Sequence, residues 1–387
     1  MLNQLKAELA ERACAGLQRK RRLLQSPQSG HVLMDEQSVL SFASNDYLGL
    51  ANHAALIQAL QNASAVAGVG AGASHLINGH HQLHEAAEQA LAEFVGLPAG
   101  LLFTTGYMAN MGVIGALMGR DDAIFADKLN HASLNDAALL SRASLHRYQH
   151  QDLVQLEKQL SESDARRKLL IVDAVFSMDG DIAPVPALLA LCEKYDAWLV
   201  LDDAHGFGVL GQDGRGILSH FHVQSPRIIY MATLGKAAGV AGAFVAGNET
   251  IIEYLVQSAK TYIYTTASPP ALSAALIAAV EVMKADMGRH QHLASLIQIF
   301  KTELALKSWQ LMPSITAIQP VLVGSNERVL KLSEYLLIRG IFVPAIRPPT
   351  VPKGSARLRV SISAAHTEAD VRLLIKTLHE AEAELMT

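Results

Sequence analysis

Cysteine is almost missing from this chain: Cys14 and Cys192 are the only two, far apart and without CxxC spacing. That excludes a disulfide framework and a zinc ribbon, and it fits a reducing compartment, so a cytoplasmic protein is expected. Long apolar runs are missing as well. No stretch approaches the roughly 20 residues that cross a bilayer, and Met1 to Arg12 carry charges throughout with no signal-peptide core. No membrane association is expected. Nor does charge of one sign dominate: 32 basic side chains against 36 acidic ones leave a net −4, which offers no footprint for nucleic acid. What the chain does have is aliphatic bulk. Its 387 residues are 50% hydrophobic and 18% charged, enough for two or three packed units of enzyme size.

Apolar residues at helical spacing (Leu2, Leu5, Leu9, Ala13, Leu17) predict an amphipathic helix over Met1 to Arg22, closed by the basic knot Arg19, Lys20, Arg21 and Arg22. Such a knot reads as a solvated helix end favoured by the helix dipole, or as an anion-binding group. From Leu101 onward, short apolar runs (LLFT, AIFA, KLLIVD, AWLVLD, RIIYMAT, GAFVAG) alternate with helical patterns, the rhythm of a mostly parallel sheet. The run Ala187 to Tyr195 has the length of a crossover helix. The tail changes character, with a helix near Glu327 to Arg339, a strand at Ile341 to Pro344, a loop at Arg347 to Gly354, a strand at Ala356 to Ser361 and a helix from Thr367. The expected division is an N-terminal segment (1–50), a large α/β domain (51–282) and a smaller α+β domain (283–387).

In an open parallel sheet, ligands bind beyond the carboxyl ends of the strands. There the chain is polar. Asp202 and His205 follow AWLVLD, Ser177 follows KLLIVD, and Thr233 and Lys236 follow RIIYMAT. A lysine among Gly235, Ala237, Ala238 and Gly239 is placed to be partly desolvated, which favours the neutral amine that carbonyl chemistry needs. Pyridoxal 5′-phosphate (PLP) would use all three groups, Lys236 for covalent attachment, Asp202 for the ring nitrogen and His205 for the phenolic oxygen. Taken singly, each residue reads equally well as a strand-end cap or a surface lysine. Thr104, Thr105, Gly106 and Tyr107 lead into a helical run whose first N–H groups suit a phosphate. GVGAGASHLING looks like a dinucleotide loop, but the helical segment Ala54 to Ala65 precedes it where a strand is required, which excludes a nicotinamide site. His80, His81 and His84 with Glu85 and Glu88 have the spacing of metal ligands. HExxH is absent, so a solvated helix face is expected and no metal is assigned.

The motifs SNDYLGL (44–50), GYMAN (106–110), NHASL (130–134), FSMDGD (176–181), DDAHGFG (202–208) and TLGKAAG (233–239) run in order over nearly the whole chain. In these the chain resembles the α-oxoamine synthases, PLP enzymes that join an amino acid to an acyl thioester with loss of carbon dioxide. The resemblance implies an α/β fold of the fold-type I PLP-dependent transferases, a large domain with a mostly parallel seven-stranded sheet plus a smaller α+β domain. It makes Lys236 the attachment lysine, Asp202 the partner of the ring nitrogen, His205 that of the phenolic oxygen and His131 the ring-stacking group. Gly106, Tyr107, Ser177 and Thr233 would hold the cofactor, while Arg19, His131, Thr350 and Arg359 would bind substrate, with Arg21 and Arg22 as alternatives to Arg19. The stretch IRPPTVPKGSARLR (346–359) implies L-alanine and a pimeloyl thioester, carried by acyl carrier protein or coenzyme A, as substrates. A sister enzyme that uses glycine is the nearest alternative. A homodimer is implied too, with Thr265 and Thr266 reaching the neighbouring site. Where many relatives carry arginine, this chain has His75, which receives no role.

Overall fold

The computed structural model describes residues 1–386, which form two compact units. One unit takes Leu50–Ser177 and Asp181–His290; the other takes Met1–Gly49, Met178–Gly180 and the chain from Gln291 onward.

The first unit is built on seven strands: β1 (Ala99–Phe103), β2 (Ala123–Asp127), β3 (Ser144–Tyr148), β4 (Lys168–Asp173), β5 (Ala197–Asp202), β6 (Ile228–Thr233) and β7 (Ala243–Gly247). Their order is β1-β7-β6-β5-β4-β2-β3. Strand β7 runs antiparallel to both neighbours and the other pairings are parallel. The apolar runs are continuous because helices cover the sheet, so both faces of each central strand are buried. Ile171, Val200 and Ile229 meet the helix Gly106–Leu117 through Val113 and Ile114 in one core. Burial of a side chain of this size contributes about 1.5–3 kcal/mol. The crossover helix between β4 and β5 spans Val185–Lys194, where its periodicity placed it.

In the second unit, Gln310–Leu311, Ile318–Gly324, Ala356–Ser361 and Ala345–Ile346 form an antiparallel sheet, joined by the helices Asn326–Ile338 and Glu368–Leu385. A smaller sheet pairs His31–Met34 with Gln37–Ser41, and the latter in parallel with Ile341–Phe342. The strand expected over Ile341 to Pro344 is therefore only Ile341–Phe342. The first helix is also shorter than its periodicity, covering Leu2–Cys14 with no buried residue. Gly16, at φ +65°, turns the chain out of the helix, and its carbonyl accepts a hydrogen bond from Arg347. The basic knot thus lies beyond the helix, not on its last turn. Among the described residues no helix is long and apolar enough to cross a membrane.

Candidate active site

Parallel strands present their carboxyl ends on one edge of a sheet. On that edge β4 ends at Asp173, β5 at Asp202 and β6 at Thr233. A cavity of about 210 Å³ opens there, lined by Gly106, Tyr107, His131, Ser177, Asp202, His205, Thr233 and Lys236 together with Ser133, Asp173, Ala204 and Met231. All the cofactor-binding candidates picked from the sequence thus share one pocket.

Local backbone geometry explains the position of Lys236. Past the end of β6, Leu234 donates to Gly242 O at 2.8 Å and Gly239 donates to Lys236 O at 2.9 Å, folding TLGKAAG into a tight turn. Gly239 has φ +69°, and a Cβ there would stand 2.5 Å from Ala51 N and Leu50 C, so only glycine fits. Lys236 Nζ lies 2.8 Å from His205 Nε2.

Asp202 is only 5% exposed. Its Oδ1 accepts from Ala204 N at 3.1 Å and its Oδ2 from Asn110 Nδ2 at 2.8 Å. Beside it, burial and the Asp202 charge push the Asp173 carboxyl well above the usual carboxylate range. Asp173 accepts from His131 N at 2.5 Å. His131 begins the helix Ala132–Ser141, its Nδ1 accepting from Ser133 N at 3.2 Å. Protein packed around the His131 ring lowers its proton affinity, Lys236 lowers it further, and Asp202 opposes both. On the far side of Asp202, burial raises Asp203 to about 7, against hydrogen bonds from Ile217 N and the Tyr230 hydroxyl.

The helix Gly106–Leu117 starts at the cavity. Thr105 Oγ1 accepts from Met108 N at 3.2 Å. The N–H groups of Gly106 and Tyr107, in its first turn, have no intrahelical acceptor. A carboxylate, an amine and a helix start around one pocket are the donor set that PLP needs for its ring nitrogen, aldehyde carbon and phosphate, and so the residues present fit that group.

Asn110, Ser133 and Asp173 were not singled out from the sequence. Asp173 had a signal, since it pairs in register with Asp202 at the end of the adjacent strand. Asn110 had a weaker one, a lone amide in an apolar helical run one turn after Gly106.

Of the four substrate candidates, His131 lines the cavity, and Arg19, Thr350 and Arg359 belong to the second unit. Arg19 Nη2 donates to Thr350 Oγ1 at 3.4 Å, whereas Arg22 is paired with Asp35 at 3.0 Å. Arg359 is 5% exposed and donates to Ser361 Oγ at 2.7 Å and Asn45 Oδ1 at 3.1 Å.

The histidine-rich helix differs from expectation. It spans Gln82–Val95, and His84 and Glu88 on it are buried, not solvated. Glu88 accepts from Leu102 N, and burial raises its carboxyl to about 8. His75, His80 and His84 offer ligand atoms within 4.8 Å of one another. Hydrogen bonds occupy these rings, however: His84 accepts from His81 N and donates to Ser268 O, and His75 Nδ1 lies 2.8 Å from His80 Nδ1.

Comparison with known proteins extends the picture. The family model for aminotransferase class I and II matches residues 37–378. A protein of Methylobacillus flagellatus named 8-amino-7-oxononanoate synthase is 62% identical over 382 residues, covering 99% of this chain and 96% of that one. Among solved structures, a serine palmitoyltransferase from S. paucimobilis with bound PLP–myriocin aldimine superposes with a TM-score of 0.92 at 27% identity, over 98% of this chain and 96% of that one. An 8-amino-7-oxononanoate synthase from Francisella tularensis gives 0.78 at 30% identity, over 90% and 99%.

Proposed function

Because the chain belongs to the aminotransferase class I and II family, we propose that it is a PLP-dependent acyltransferase that condenses L-alanine with a pimeloyl thioester, releasing carbon dioxide and forming 8-amino-7-oxononanoate. The observation that carries this is the 62% identity, over nearly the full length of both chains, to a protein of that name. The cavity around Lys236 and Asp202 supports it independently.

When bound, PLP supplies an electron sink for the bonding electrons of the substrate α-carbon. The protein's residues do the rest. Lys236 is the attachment point, and its amine, once freed, takes the α-proton of alanine and later returns a proton to the product carbon. Asp202, held by Asn110 and Ala204, would pair with the ring nitrogen and favour its protonated form. His205 would hydrogen-bond the phenolic oxygen and His131 would cover the ring face. Gly106, Tyr107, Ser177 and Thr233 hold the cofactor. Arg359 pairs with the amino-acid carboxylate, and Arg19 with Thr350 binds the acyl substrate; the contact between these last two favours Arg19 over Arg21 and Arg22. The acyl group arrives on acyl carrier protein or coenzyme A, and the enzyme works as a cytoplasmic homodimer in which Thr265 and Thr266 serve the neighbouring site.

The test is thiol release from a pimeloyl thioester by PLP-loaded protein, with alanine or glycine as co-substrate. Alanine-dependent release with a matching yield of carbon dioxide is expected. Preference for glycine with a short acyl thioester would assign the chain to the sister reaction.

A further inference from the structure

Four polar side chains beside the cavity form one chain of hydrogen bonds with a single allowed direction. At one end Asp202 Oδ2 is 2.8 Å from Asn110 Nδ2. A carboxylate only accepts, so the amide must present N–H there. The other N–H of the same amide points at Ser133 Oγ, 2.9 Å away. That hydroxyl, having accepted, has its own proton to give, and its neighbour at 2.8 Å is His131 Nδ1. The same Nδ1 also faces the backbone N–H of Ser133 at 3.2 Å, a group that can only donate. Two donors converge on His131 Nδ1, so it carries no proton, and in the neutral ring the proton must sit on Nε2.

A second observation supports this direction. Asn110 is fully buried, and its Oδ1 has no hydrogen-bond partner among the described residues. An unsatisfied buried carbonyl is costly. Turning the amide over would let the Ser133 hydroxyl donate to that oxygen but would set it 2.8 Å from the Asp202 carboxylate with no proton between them, so the orphan oxygen is what the orientation of the N–H groups costs. Ser133, only 1% exposed, has equally little freedom.

We propose that Asn110 and Ser133 are positioning residues which, anchored on Asp202, fix His131 in its Nε2–H form. The His131 ring therefore acts toward the reacting molecule as a hydrogen-bond donor and not as a base. Protonating Nδ1 would break the cap at the start of the helix Ala132–Ser141 and add positive charge at a helix N-terminus, both unfavourable. Taking the α-proton is thereby left to Lys236. This inference rests on the PLP-dependent reading of the cavity for its catalytic meaning, but not for the tautomer itself.

The experiment is a long-range ¹⁵N–¹H spectrum of histidine-labelled holoenzyme, with the His131 signals identified by their loss in His131→Asn. The expected pattern is an unprotonated, hydrogen-bonded Nδ1 and a protonated Nε2. In Ser133→Ala or Asn110→Ala the two tautomers should mix, Ser133→Thr should restore the wild-type pattern, and kcat should fall about tenfold in both alanine variants, the worth of one buried hydrogen bond, with the KM for alanine little changed. A wild-type ring protonated at Nδ1 overturns the proposal without any variant, and so does a tautomer unmoved in both Ser133→Ala and Asn110→Ala. Failure of the proposed activity would leave the tautomer assignment standing, so the two failures are distinguishable.

Discussion

His205 Nε2 and Lys236 Nζ stand 2.8 Å apart at the ends of adjacent parallel strands, three residues beyond Asp202 and Thr233 respectively. The two side chains thereby meet at the cavity, where His205 would donate to the charged phenolic oxygen once Lys236 carries PLP. A hydrogen bond to a charged group is worth about 1.5–3 kcal/mol. His205→Ala should lower turnover by roughly 10- to 100-fold. Reductive labelling at Lys236 should persist, which peptide mass mapping can check.

Asp202 should matter at a different step. Asp202→Ala leaves Lys236 and the helix start at Gly106 in place, so PLP should still bind, but without a carboxylate at the ring nitrogen the electron sink is weak. Exchange of the α-proton of alanine in deuterated water should fall by about 100-fold or more, on the scale of other catalytic groups. Exchange at the wild-type rate would remove Asp202 from that role.

The loop Arg347 to Pro352 contains Pro348, Pro349 and Pro352, which fix backbone angles and reduce the entropy lost when a ligand binds. Thr350, within it, accepts from Arg19. A site that hydrogen-bonds its substrate discriminates more sharply than an apolar wall. Thr350→Ala should therefore raise the KM for the pimeloyl thioester by about tenfold. The spectral change that alanine induces in the holoenzyme should stay nearly intact. Equal losses in both measurements would mean a disturbed fold.

His150 predicts a pH dependence of stability. It stands between Asp127 at 3.1 Å and Asp181 at 2.7 Å. Burial opposes its charge, yet hydrogen bonds to both carboxylates prevail and raise its pKa to about 10. The folded pKa lies above the unfolded value, so the contribution is complete below about 6.5 and is lost as pH rises towards 10. His150→Ala should cost about 3 kcal/mol near neutral pH, because it leaves the buried Asp127 without its cation. Urea melts at pH 6 and pH 10 should show the gap between wild type and variant shrinking.

The residues that line the cavity were legible because strand ends announce themselves: an apolar run stops, and Asp202, Thr233 and the residues after them are polar. The same signal could have found Asp173. Asn110 was hidden, since its partner Asp202 lies 92 residues away in the chain, a pairing that only the packing of a helix against the sheet creates. Helical periodicity overshot at the N-terminus. Leu17 continues the apolar spacing, but Gly16 leaves the helical region before it, and periodicity carries no information about a positive φ. The histidine-rich helix looked solvated because its charges are frequent. Buried acceptors and donors at Ser268 and Leu102 draw His84 and Glu88 inward instead.

The activity proposed for this cavity depends on PLP being joined to Lys236. Borohydride reduction of the PLP-loaded protein, followed by proteolysis and mass spectrometry, reads that bond directly. The predicted result is a single phosphopyridoxyl label on the peptide that contains Lys236, absent in Lys236→Ala. A label on another lysine, or none at all, would contradict the account.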